Sequence, residues 1–344
     1  MDKIKICSLN CQGLGDVRKR RDVISHLRSQ NFSILCLQDT HFTKNIEKLI
    51  QTEWGYKVFF SSFTSQSRGV AVFIKNNFEF VLHNTHHDPG GNFLLLDAEI
   101  ENNRITLVNL YGPNKDDPSF YENLQKLITQ QGNKNILIVG DWNLLLDPTI
   151  DSRNYKNINN PKARQQVLKM IGELNLYDVW REENGNELKF TWKRKLKNGC
   201  VQRGRLDFFL VSEALANYTS EEEIRPGYRS DHSIVSLTLD FNNMPKCKTY
   251  WKFNNSLLKN TEYAAEIKQV ISNTKKQYAA TPYNRNNIEQ IDDNLLQTTI
   301  NPQLFFEMIL LEIRKRTIAF STLKAGEENE KNYQTSIGNQ GVGK

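Results

Sequence analysis

Single polar side chains stand at the ends of several apolar runs in the first 240 residues of this 344-residue chain. Asn10 ends KIKICSLN, Asp39 follows SILCLQ, and Tyr111 follows ITLVNL. The later members of the set are Asp141 and Asn143 after ILIVG, Asp207 in RLDFFLV, and Asp231 and His232 before SIVSLTLD. One such residue alone is usually a turn former or a helix cap. So many in succession indicate one site, because α/β proteins build sites at the carboxyl ends of strands.

Together these residue types could hydrolyse a phosphodiester. The reaction needs a divalent cation to polarise a phosphoryl oxygen and to stabilise the leaving oxyanion. Mg²⁺ prefers carboxylate or carbonyl oxygen, so Asp39 is a natural ligand. Either Asp141 or His232 could position the attacking water. The acidic neighbour Asp231 would hold the His232 imidazole protonated, and a cation there would stabilise the pentacovalent oxyanion.

Short β-rich runs and helical patterns alternate over the same 240 residues, and most runs are bounded by Gly, Asn, Asp or Pro. Apolar runs predict strands over residues 3–9, 33–37, 69–74, 93–100, 105–110, 136–139, 206–211 and 233–239. Apolar residues at helical spacing predict helices over residues 20–30, 120–130 and 163–174. This many short strands with few interleaved helices indicates two packed sheets with helices outside.

The pattern changes after Phe241, so residues 1–242 are expected to form one domain. Residues 243–324 are interpreted as a helical, basic linker segment, because residues 241–344 carry 14 Lys and Arg against 10 Asp and Glu. Within it, residues 304–318 carry an apolar stripe that predicts core packing or a docking face. Residues 325–344 are polar and rich in Gly and Asn, which predicts disorder.

Composition excludes several classes of protein. Only 38% of residues are apolar, but 18 Phe, 12 Tyr and 5 Trp can still build a core. The net charge of +6 permits a nucleic-acid partner without demanding one. There is no run of 18 apolar residues and no signal-peptide pattern, so no membrane attachment is expected. Five cysteines without a CxxC pair predict free thiols in a reducing compartment.

Seven motifs resemble, in order and spacing, those of the endonuclease/exonuclease/phosphatase superfamily, which includes AP endonucleases and DNase I. They are SLNCQGL, LCLQDTHF, GVAVFI, VNLYGPN, IVGDWN, GRLDFFLVS and YRSDHSIVSL, and they lie within residues 1–240. The resemblance implies an α/β fold of four layers, in which two packed mixed β-sheets are flanked by helices. The long helical pattern after Phe241 predicts a helical carboxyl-terminal extension to this sandwich.

The resemblance also implies roles for the first three polar residues. Asn10 would help to hold the metal or the scissile phosphate, Asp39 would bind the metal, and Tyr111 would contact the phosphate and the developing charge. Asp39 replaces the commoner Glu of the family and is one methylene shorter. Gln12 stands where AP endonucleases often have Asp, which favours another branch of the superfamily.

The later motifs carry the remaining implied roles. Asp141 and Asn143 of the GDxN motif would orient the attacking water and the phosphate. Asp207 would polarise or orient a neighbour in the site. The terminal SDH motif corresponds to Ser230, Asp231 and His232. Its Asp would pair with the imidazole or with the metal, so the implied metal ligands are Asp39, Asn10 and Asp231.

Within the superfamily, the chain resembles the endonucleases of non-LTR (LINE-type) retrotransposons. Three stretches carry this likeness: LQDTHF, LLLDPTIDSR after the GDxN motif, and YWKFNNSLL before basic helical sequence. The likeness implies a Mg²⁺-dependent endonuclease, with Mn²⁺ as a substitute, that nicks one DNA strand and leaves a 3′-hydroxyl to prime reverse transcription. It also implies double-stranded DNA, the element's RNA and a reverse transcriptase as partners, within a larger polyprotein. Synthesis in the cytoplasm followed by action in the nucleus is expected.

Residues 190–205 are rich in Lys and Arg and predict a β-hairpin. The candidate DNA contacts are Thr191, Trp192, Lys193 and Arg194 in this hairpin, with Arg68 and Arg153 elsewhere. The hairpin could contact phosphates in a groove while Trp192 wedges a base step. Alternatively, the hairpin is only solvated and Trp192 packs on the core.

Two other functions are compatible with these motifs. One is a phosphatase acting on inositol phosphates or lipids, although the basic hairpin and YWKFNNSLL count against it. The other is a catalytically weak nucleic-acid-binding relic, since Asp39 replaces Glu. A third feature, the histidine-rich stretch at residues 83–88, lacks the cysteines of a structural zinc site and predicts a solvated hairpin loop.

Overall fold

The computed structural model describes residues 3–53, 56–185, 187–242, 255–279, 298–317 and 320. The chain divides into two compact units, Met1–Lys248 and Thr249–Lys344. Most of the YWKFNNSLL stretch and the tail predicted to be disordered, residues 325–344, lie outside the described residues. Cys7, Cys11, Cys36 and Cys200 are free thiols, and Cys247 also lies outside the described residues.

The first unit contains a six-stranded mixed sheet. Its strands are β1 (Ile4–Asn10), β2 (Ile34–Gln38), β3 (Lys57–Ser61), β4 (Val70–Ile74), β14 (Thr219–Arg225) and β15 (Ile234–Leu239). Their order across the sheet is β14-β15-β1-β2-β4-β3. β1 and β2 run parallel with Asn10 opposite Gln38, so both strands end at the same edge. β1, β2, β4 and β15 are buried along almost their whole length, as expected for strands covered on both faces.

A second six-stranded mixed sheet packs against the first. Its strands are β5 (Phe80–His87), β6 (Phe93–Ile100), β7 (Asn103–Tyr111), β8 (Asn135–Asp141), β10 (Leu176–Asp178) and β13 (Asp207–Ser212), in the order β10-β13-β8-β7-β6-β5. β7 and β8 run parallel with Tyr111 opposite Asp141, and antiparallel β13 places Asp207 opposite Asp141. A small third sheet combines β9 (Ser152–Arg153), β11 (Trp192–Lys195) and β12 (Val201–Gly204) in the order β11-β12-β9.

Helices cover the outer faces of the two large sheets. They are α1 (Val17–Ser29), α2 (Lys44–Glu53), α3 (Pro118–Gln131) and α4 (Pro161–Glu173). The shorter helices α5 (Val179–Asn184) and α6 (Glu213–Ala216) instead contribute to the core between the sheets. α1 begins where the Asp16 side chain accepts the Lys19 backbone N–H. α3 begins in the same way at Asp117 and ends at Gly132, whose φ of 69° is the left-handed conformation that terminates helices.

Three apolar cores separate four layers. Alternate residues of β2 show how: Ile34 and Cys36 belong to the core between the sheets, and Leu35 and Leu37 to the core that includes α1. A further core joins the second sheet to α3 and α4. The order of layers is therefore helices, sheet, sheet, helices, which confirms the fold that the sequence motifs implied.

The histidine-rich stretch is a strand, so the prediction of a hairpin loop was wrong. Its histidines lie in β5, an edge strand paired with β6 on one side only. The alternation expected of a strand is obscured because the register shifts between Leu82 and Asn84. His87 Nδ1 lies 2.7 Å from the Phe60 carbonyl oxygen. None of these histidines joins a metal-binding group within the described part of the chain.

The second unit contains a short 3₁₀ turn (Asn255–Lys259), α7 (Thr261–Tyr278) and a helix over residues 302–317. The hydroxyls of Tyr263 and Thr317 lie 2.6 Å apart, and Arg316 pairs with Glu266 over 2.6 Å, so the two helices are joined by polar contacts. This confirms the predicted helical extension. Across the described ranges, no helix is long and apolar enough to cross a membrane.

Candidate active site

Strand ends from both large sheets meet at one place. The side-chain amide of Asn10, at the end of β1, donates to Asp141 Oδ2, at the end of β8, over 2.8 Å. Gly140 allows β8 to approach β7 closely here. Its φ is +147°, and a Cβ would lie 1.9 Å from the Leu110 carbonyl oxygen. The two sheets therefore bring together residues that are far apart in the sequence.

The His232 imidazole lies between two carboxylates of the second sheet. Its Nδ1 is 2.8 Å from Asp207 Oδ2, and its Nε2 is 3.9 Å from Asp141 Oδ2. All three side chains are buried. Because Asp207 accepts the Nδ1 proton and fixes the ring, Nε2 is left facing Asp141 and available to a substrate.

Burial and neighbouring charge set the protonation of this cluster. Burial lowers the pKa of His232, but the carboxylates of Asp207 and Asp141 outweigh it and raise that pKa to about 10. The imidazole is therefore a cation at neutral pH. Burial raises the pKa of Asp141 to about 7, with the Asp207 carboxylate adding to the rise. A carboxyl group with that pKa can gain or lose a proton near neutral pH.

Asp231 does not make the close pairing with the imidazole that was one of its two expected roles. Its Oδ1 is 3.8 Å from His232 Nε2, beyond hydrogen-bond distance, while its Oδ2 accepts the indole N–H of Trp192 over 3.0 Å. Asp207 takes the orienting role instead, because its place at the start of β13 puts the carboxylate beside Nδ1.

Ser230 ties the SDH loop to the end of β1. Its Oγ donates to the Asn10 carbonyl oxygen over 2.7 Å and accepts the His232 backbone N–H over 3.1 Å. The loop also needs a small residue at Gly227, where a Cβ would lie 1.7 Å from the His232 carbonyl oxygen. Ser230 thus holds the imidazole and the Asn10 strand end in a fixed relation.

Asp39, directly after β2, lies at a more open edge and its side chain is 17% exposed. Its Oδ1 accepts the Arg68 backbone N–H over 2.9 Å and lies 3.0 Å from His41 Nε2. Asp39 and His41 have left-handed φ values of 49° and 56°, a conformation that is uncommon for residues with a side chain. This tight turn holds one carboxylate oxygen, while the described residues offer Oδ2 no hydrogen bond.

Tyr111 and Asn143 belong to the same site. Burial raises the pKa of Tyr111, and the charges of Asp39 and Asp141 raise it further, so the phenol keeps its proton and can donate a hydrogen bond. The Asn143 backbone N–H donates to Asp141 Oδ1 over 3.0 Å, and its side chain donates to the Gly112 carbonyl oxygen over 2.7 Å. These contacts fix the second oxygen of Asp141.

The donor groups fit a divalent cation at the Asp39 edge. Asp141, Asp207 and His232 also form a group that could hold a metal ion, the one such group in the described part of the chain. However, Asp207 and the imidazole already satisfy each other there, and Mg²⁺ favours oxygen over nitrogen. Asp39 Oδ2 and the side-chain oxygen of Asn10 supply hard oxygen donors at neighbouring strand ends.

Three polar residues support the site but were not among the sequence candidates. Gln38 Nε2 donates to Asn109 Oδ1 over 2.7 Å, and Asn109 donates to the Leu37 and Ala71 carbonyl oxygens, which links the two sheets. The third is His41, which contacts Asp39. The signal for Gln38 and Asn109 was a polar side chain inside an otherwise apolar strand, because such a group must find a buried partner.

The candidate DNA contacts differ in exposure. Lys193, Arg194, Arg68 and Arg153 are exposed and Trp192 is partly buried, whereas Thr191 is buried. The Thr191 hydroxyl accepts the backbone N–H groups of Leu206 and Asp207, at 2.9 and 3.0 Å. Thr191 is therefore corrected from a DNA contact to an anchor of the hairpin, which the structure forms from β11 and β12 as predicted.

Curated relatives of the chain include a transposon protein and two enzymes named as DNA nucleases. The chain is 32% identical to "Transposon TX1 uncharacterized 149 kDa protein" of Xenopus laevis over 77% of this chain, and spans 20% of that protein. It is 26% identical to an exodeoxyribonuclease of Bacillus subtilis over 69% of this chain and 100% of that protein. It is also 26% identical to a DNA-(apurinic or apyrimidinic site) endonuclease of Dictyostelium discoideum over 70% of this chain and 72% of that protein.

Solved structures share the fold. An AP endonuclease from Leishmania major matches with a TM-score of 0.58 at 19% identity, over 69% of this chain and 88% of that one. The catalytic domain of APE2 from Xenopus laevis matches with a TM-score of 0.55 at 22% identity, over 70% of this chain and 94% of that one.

The model of the endonuclease/exonuclease/phosphatase family matches residues 7–232, which hold every candidate catalytic residue. The chain belongs to the endonuclease/exonuclease/phosphatase family.

Proposed function

We propose that the chain is a Mg²⁺-dependent DNA endonuclease that nicks one strand of double-stranded DNA by phosphodiester hydrolysis. The observation that carries the proposal is the buried cluster in which His232 Nε2 faces Asp141 Oδ2 across 3.9 Å, with Asp207 fixed on the opposite ring nitrogen. A water or phosphate oxygen beside this pair can lie within hydrogen-bond distance of both Nε2 and the Asp141 oxygen, and so contact a cation and a carboxyl at once.

The sequence left open whether Asp141 or His232 acts on the attacking water, and the pKa values of the two residues favour Asp141. A His232 pKa of about 10 makes the imidazole a charge stabiliser rather than a base at neutral pH. An Asp141 pKa of about 7 suits that residue to accept the proton of the attacking water. Asn10 and Asn143 donate to different oxygens of Asp141 and so hold the carboxylate plane in place.

A divalent cation, Mg²⁺ with Mn²⁺ as a substitute, is proposed to bind Asp39 and the side-chain oxygen of Asn10. When bound, it would supply Lewis-acid stabilisation of the phosphoryl and leaving oxygens. Asp231 can contribute from the other side, since its Oδ1 makes no hydrogen bond with the described residues. Tyr111 is proposed to donate its hydroxyl proton to a phosphate oxygen, which its raised pKa supports.

We propose that hydrolysis leaves a 3′-hydroxyl, which primes reverse transcription of an element's RNA. The Xenopus relative, named a transposon protein, supports this assignment. The proposed partners are target DNA, the element's RNA and a reverse transcriptase in a larger polyprotein, and the proposed place of action is the nucleus. Residues 1–242 would supply the nuclease and residues 243–324 a basic linker.

Supercoiled plasmid DNA tests the proposal. Nicked circles are expected with Mg²⁺ and not with EDTA, and a DNA polymerase should extend the nick without prior phosphatase treatment. An oligonucleotide with one abasic site and an inositol polyphosphate serve as comparison substrates. Preferred cleavage at the abasic site, or phosphate release without nicking, would replace the proposal by the corresponding activity. Plasmid binding without any hydrolysis would indicate a relic.

A further inference from the structure

The basic hairpin is bonded directly to the loop that carries the catalytic imidazole. Trp192 and His232 form an isolated antiparallel bridge, and the Ser233 backbone N–H donates to the Thr191 carbonyl oxygen over 2.6 Å. Thr191 also accepts the N–H of Asp207. The start of the hairpin therefore contacts both His232, whose imidazole is the proposed charge stabiliser, and Asp207, which orients that imidazole.

One side-chain contact extends this connection. The Trp192 indole Nε1 donates to Asp231 Oδ2 over 3.0 Å. With that oxygen held, Asp231 Oδ1 lies 3.8 Å from His232 Nε2, is buried, and has no hydrogen-bond partner among the described residues. A buried carboxylate oxygen without a donor is costly unless a ligand or substrate group completes it. The indole thus fixes which Asp231 oxygen points into the site.

The same geometry argues against Trp192 as a wedge between bases. The Arg194 guanidinium lies over one face of the ring, 5.5 Å from its centroid. The polar edge of the ring is bonded to Asp231, and the backbone of Trp192 is bridged to His232. A ring inserted between bases would need both faces free and would have to leave Asp231.

We propose that Trp192 is a positioning residue for Asp231. Its hydrogen bond to Asp231 fixes the basic hairpin relative to the loop that carries His232. This inference rests on the proposed nuclease function. The indole N–H keeps Asp231 Oδ1 directed toward the space beside His232 Nε2, where the scissile phosphate and its cation are proposed to bind. Phenylalanine at 192 would keep an aromatic surface beneath Arg194 and would remove only the N–H.

A double-mutant cycle tests the proposal on the full-length chain. Trp192→Phe is expected to lower kcat about 10-fold with KM for plasmid DNA changed less than about 2-fold, as for an interaction made mainly in the transition state. In an Asp231→Ala background the same substitution should cost less than about 2-fold, because the partner is already gone. Equal losses in both backgrounds would overturn the proposal, as would a change confined to KM.

Trp180→Phe is the matched control. Trp180 is buried in the core between the sheets, and its ring makes no contact with Asp231. The substitution removes an indole in the same way, and below the unfolding temperature kcat is expected to stay within about 2-fold of the parent. A 10-fold loss there would show that losing any indole slows the enzyme, and it would overturn the assignment to Trp192.

A spectroscopic measurement without metal or DNA separates this inference from the proposed function. In ¹H–¹⁵N spectra recorded in EDTA, the indole signal that disappears in Trp192→Phe is expected to shift upfield in Asp231→Ala, since a charged acceptor is lost. An unshifted signal would refute the contact whether or not the parent nicks DNA. A shifted signal with an inactive parent would leave the contact standing and remove only the nuclease proposal.

Discussion

The two acidic regions of the site differ in how they are enclosed. Asp141 and Asp207 lie in the buried cluster with His232, and the side chain of each of these two aspartates is only 1% exposed. Asp39 lies beside His41 at the open edge, where its side chain is 17% exposed. Burial raises the pKa of Asp141, with the Asp207 carboxylate adding to the rise. Burial lowers the pKa of His232, but the close carboxylates outweigh that effect and raise it.

This difference suits two tasks. A proton acceptor and a fixed imidazolium need a dry, rigid setting, because their pKa values and orientations must be set before substrate arrives. A Mg²⁺ ligand needs access to water, because Mg²⁺ keeps several waters of hydration when it binds. On the proposed mechanism, one strand-end architecture would provide an enclosed pair for proton transfer and charge stabilisation and an open carboxylate for a hydrated cation.

The largest expected effects come from the buried cluster. Asp141→Ala and His232→Ala should each lower the nicking rate by on the order of 10² or more, because each removes a positioned proton acceptor or charge stabiliser. Both proteins should remain folded by circular dichroism and should still bind DNA in EDTA. Near-parental activity in His232→Ala would exclude the SDH motif from the chemistry.

Substitutions of Asp39, at the open edge, should instead change how the nicking rate depends on Mg²⁺ concentration. Asp39→Ala is expected to abolish nicking at low Mg²⁺ by weakening cation binding, whereas Asp39→Glu should keep or raise activity. Titration of the nicking rate with Mg²⁺ checks this, and binding of Mn²⁺ followed by electron paramagnetic resonance supplies a readout without turnover. If Asp39→Ala nicks like the parent at saturating Mg²⁺ and binds Mn²⁺ as tightly, Asp39 is not the ligand.

Asp207→Asn should change the pKa of the His232 imidazole. Loss of the carboxylate is expected to lower the His232 pKa from about 10 toward or below its ordinary value of 6.5. Because the folded-state pKa is raised, this contact stabilises the parent fully below about pH 6.5 and less as pH rises toward about 10. NMR titration of the ring in EDTA and urea unfolding across that range check both statements. An unchanged pKa in the variant would assign the shift elsewhere.

The smallest effect on rate is expected outside both acidic regions. Replacing the hairpin tip, residues 196–199, with a short Gly-containing turn should keep Mg²⁺-dependent nicking while redistributing nick positions. Metal chemistry is blind to sequence, so a preference must come from groove contacts or from DNA deformability. Sequencing of nick sites on one long duplex checks this. An identical pattern for parent and variant would remove the tip as a specificity element.

The sequence predicted most of the first unit because local signals agreed there. Eight apolar runs became β1, β2, β4, β6, β7, β8, β13 and β15, and three helical patterns became α1, α3 and α4. Edge and short strands were missed, since β5, β9, β10 and β14 have exposed or irregular residues that weaken the alternation. The β-propensity of the residues alone cannot identify such strands, because whether they form depends on pairing with a neighbouring strand.

The partners of the site residues were less predictable than their identities. The sequence left Asp231 to pair with the imidazole or with the metal, and gave Asp207 an unnamed neighbour to orient. In the structure that neighbour is His232, whose Nδ1 lies 2.8 Å from Asp207, while Asp231 lies 3.8 Å from its Nε2. Two roles were weighed for Trp192, wedge or core, and neither anticipated its hydrogen bond to Asp231. Thr191 was a candidate DNA contact and is a buried anchor of the hairpin.

The sequence by itself determined the family and the set of polar residues at strand ends, because motif order and apolar periodicity are properties of the chain. The tertiary structure alone decided which of these residues contact one another. Asn10 meets Asp141 only because two sheets pack face to face, and Asp207 reaches the imidazole only because β13 lies antiparallel beside β8. The pKa values follow from that packing, since desolvation and charge proximity are set by three-dimensional distance and not by position along the chain.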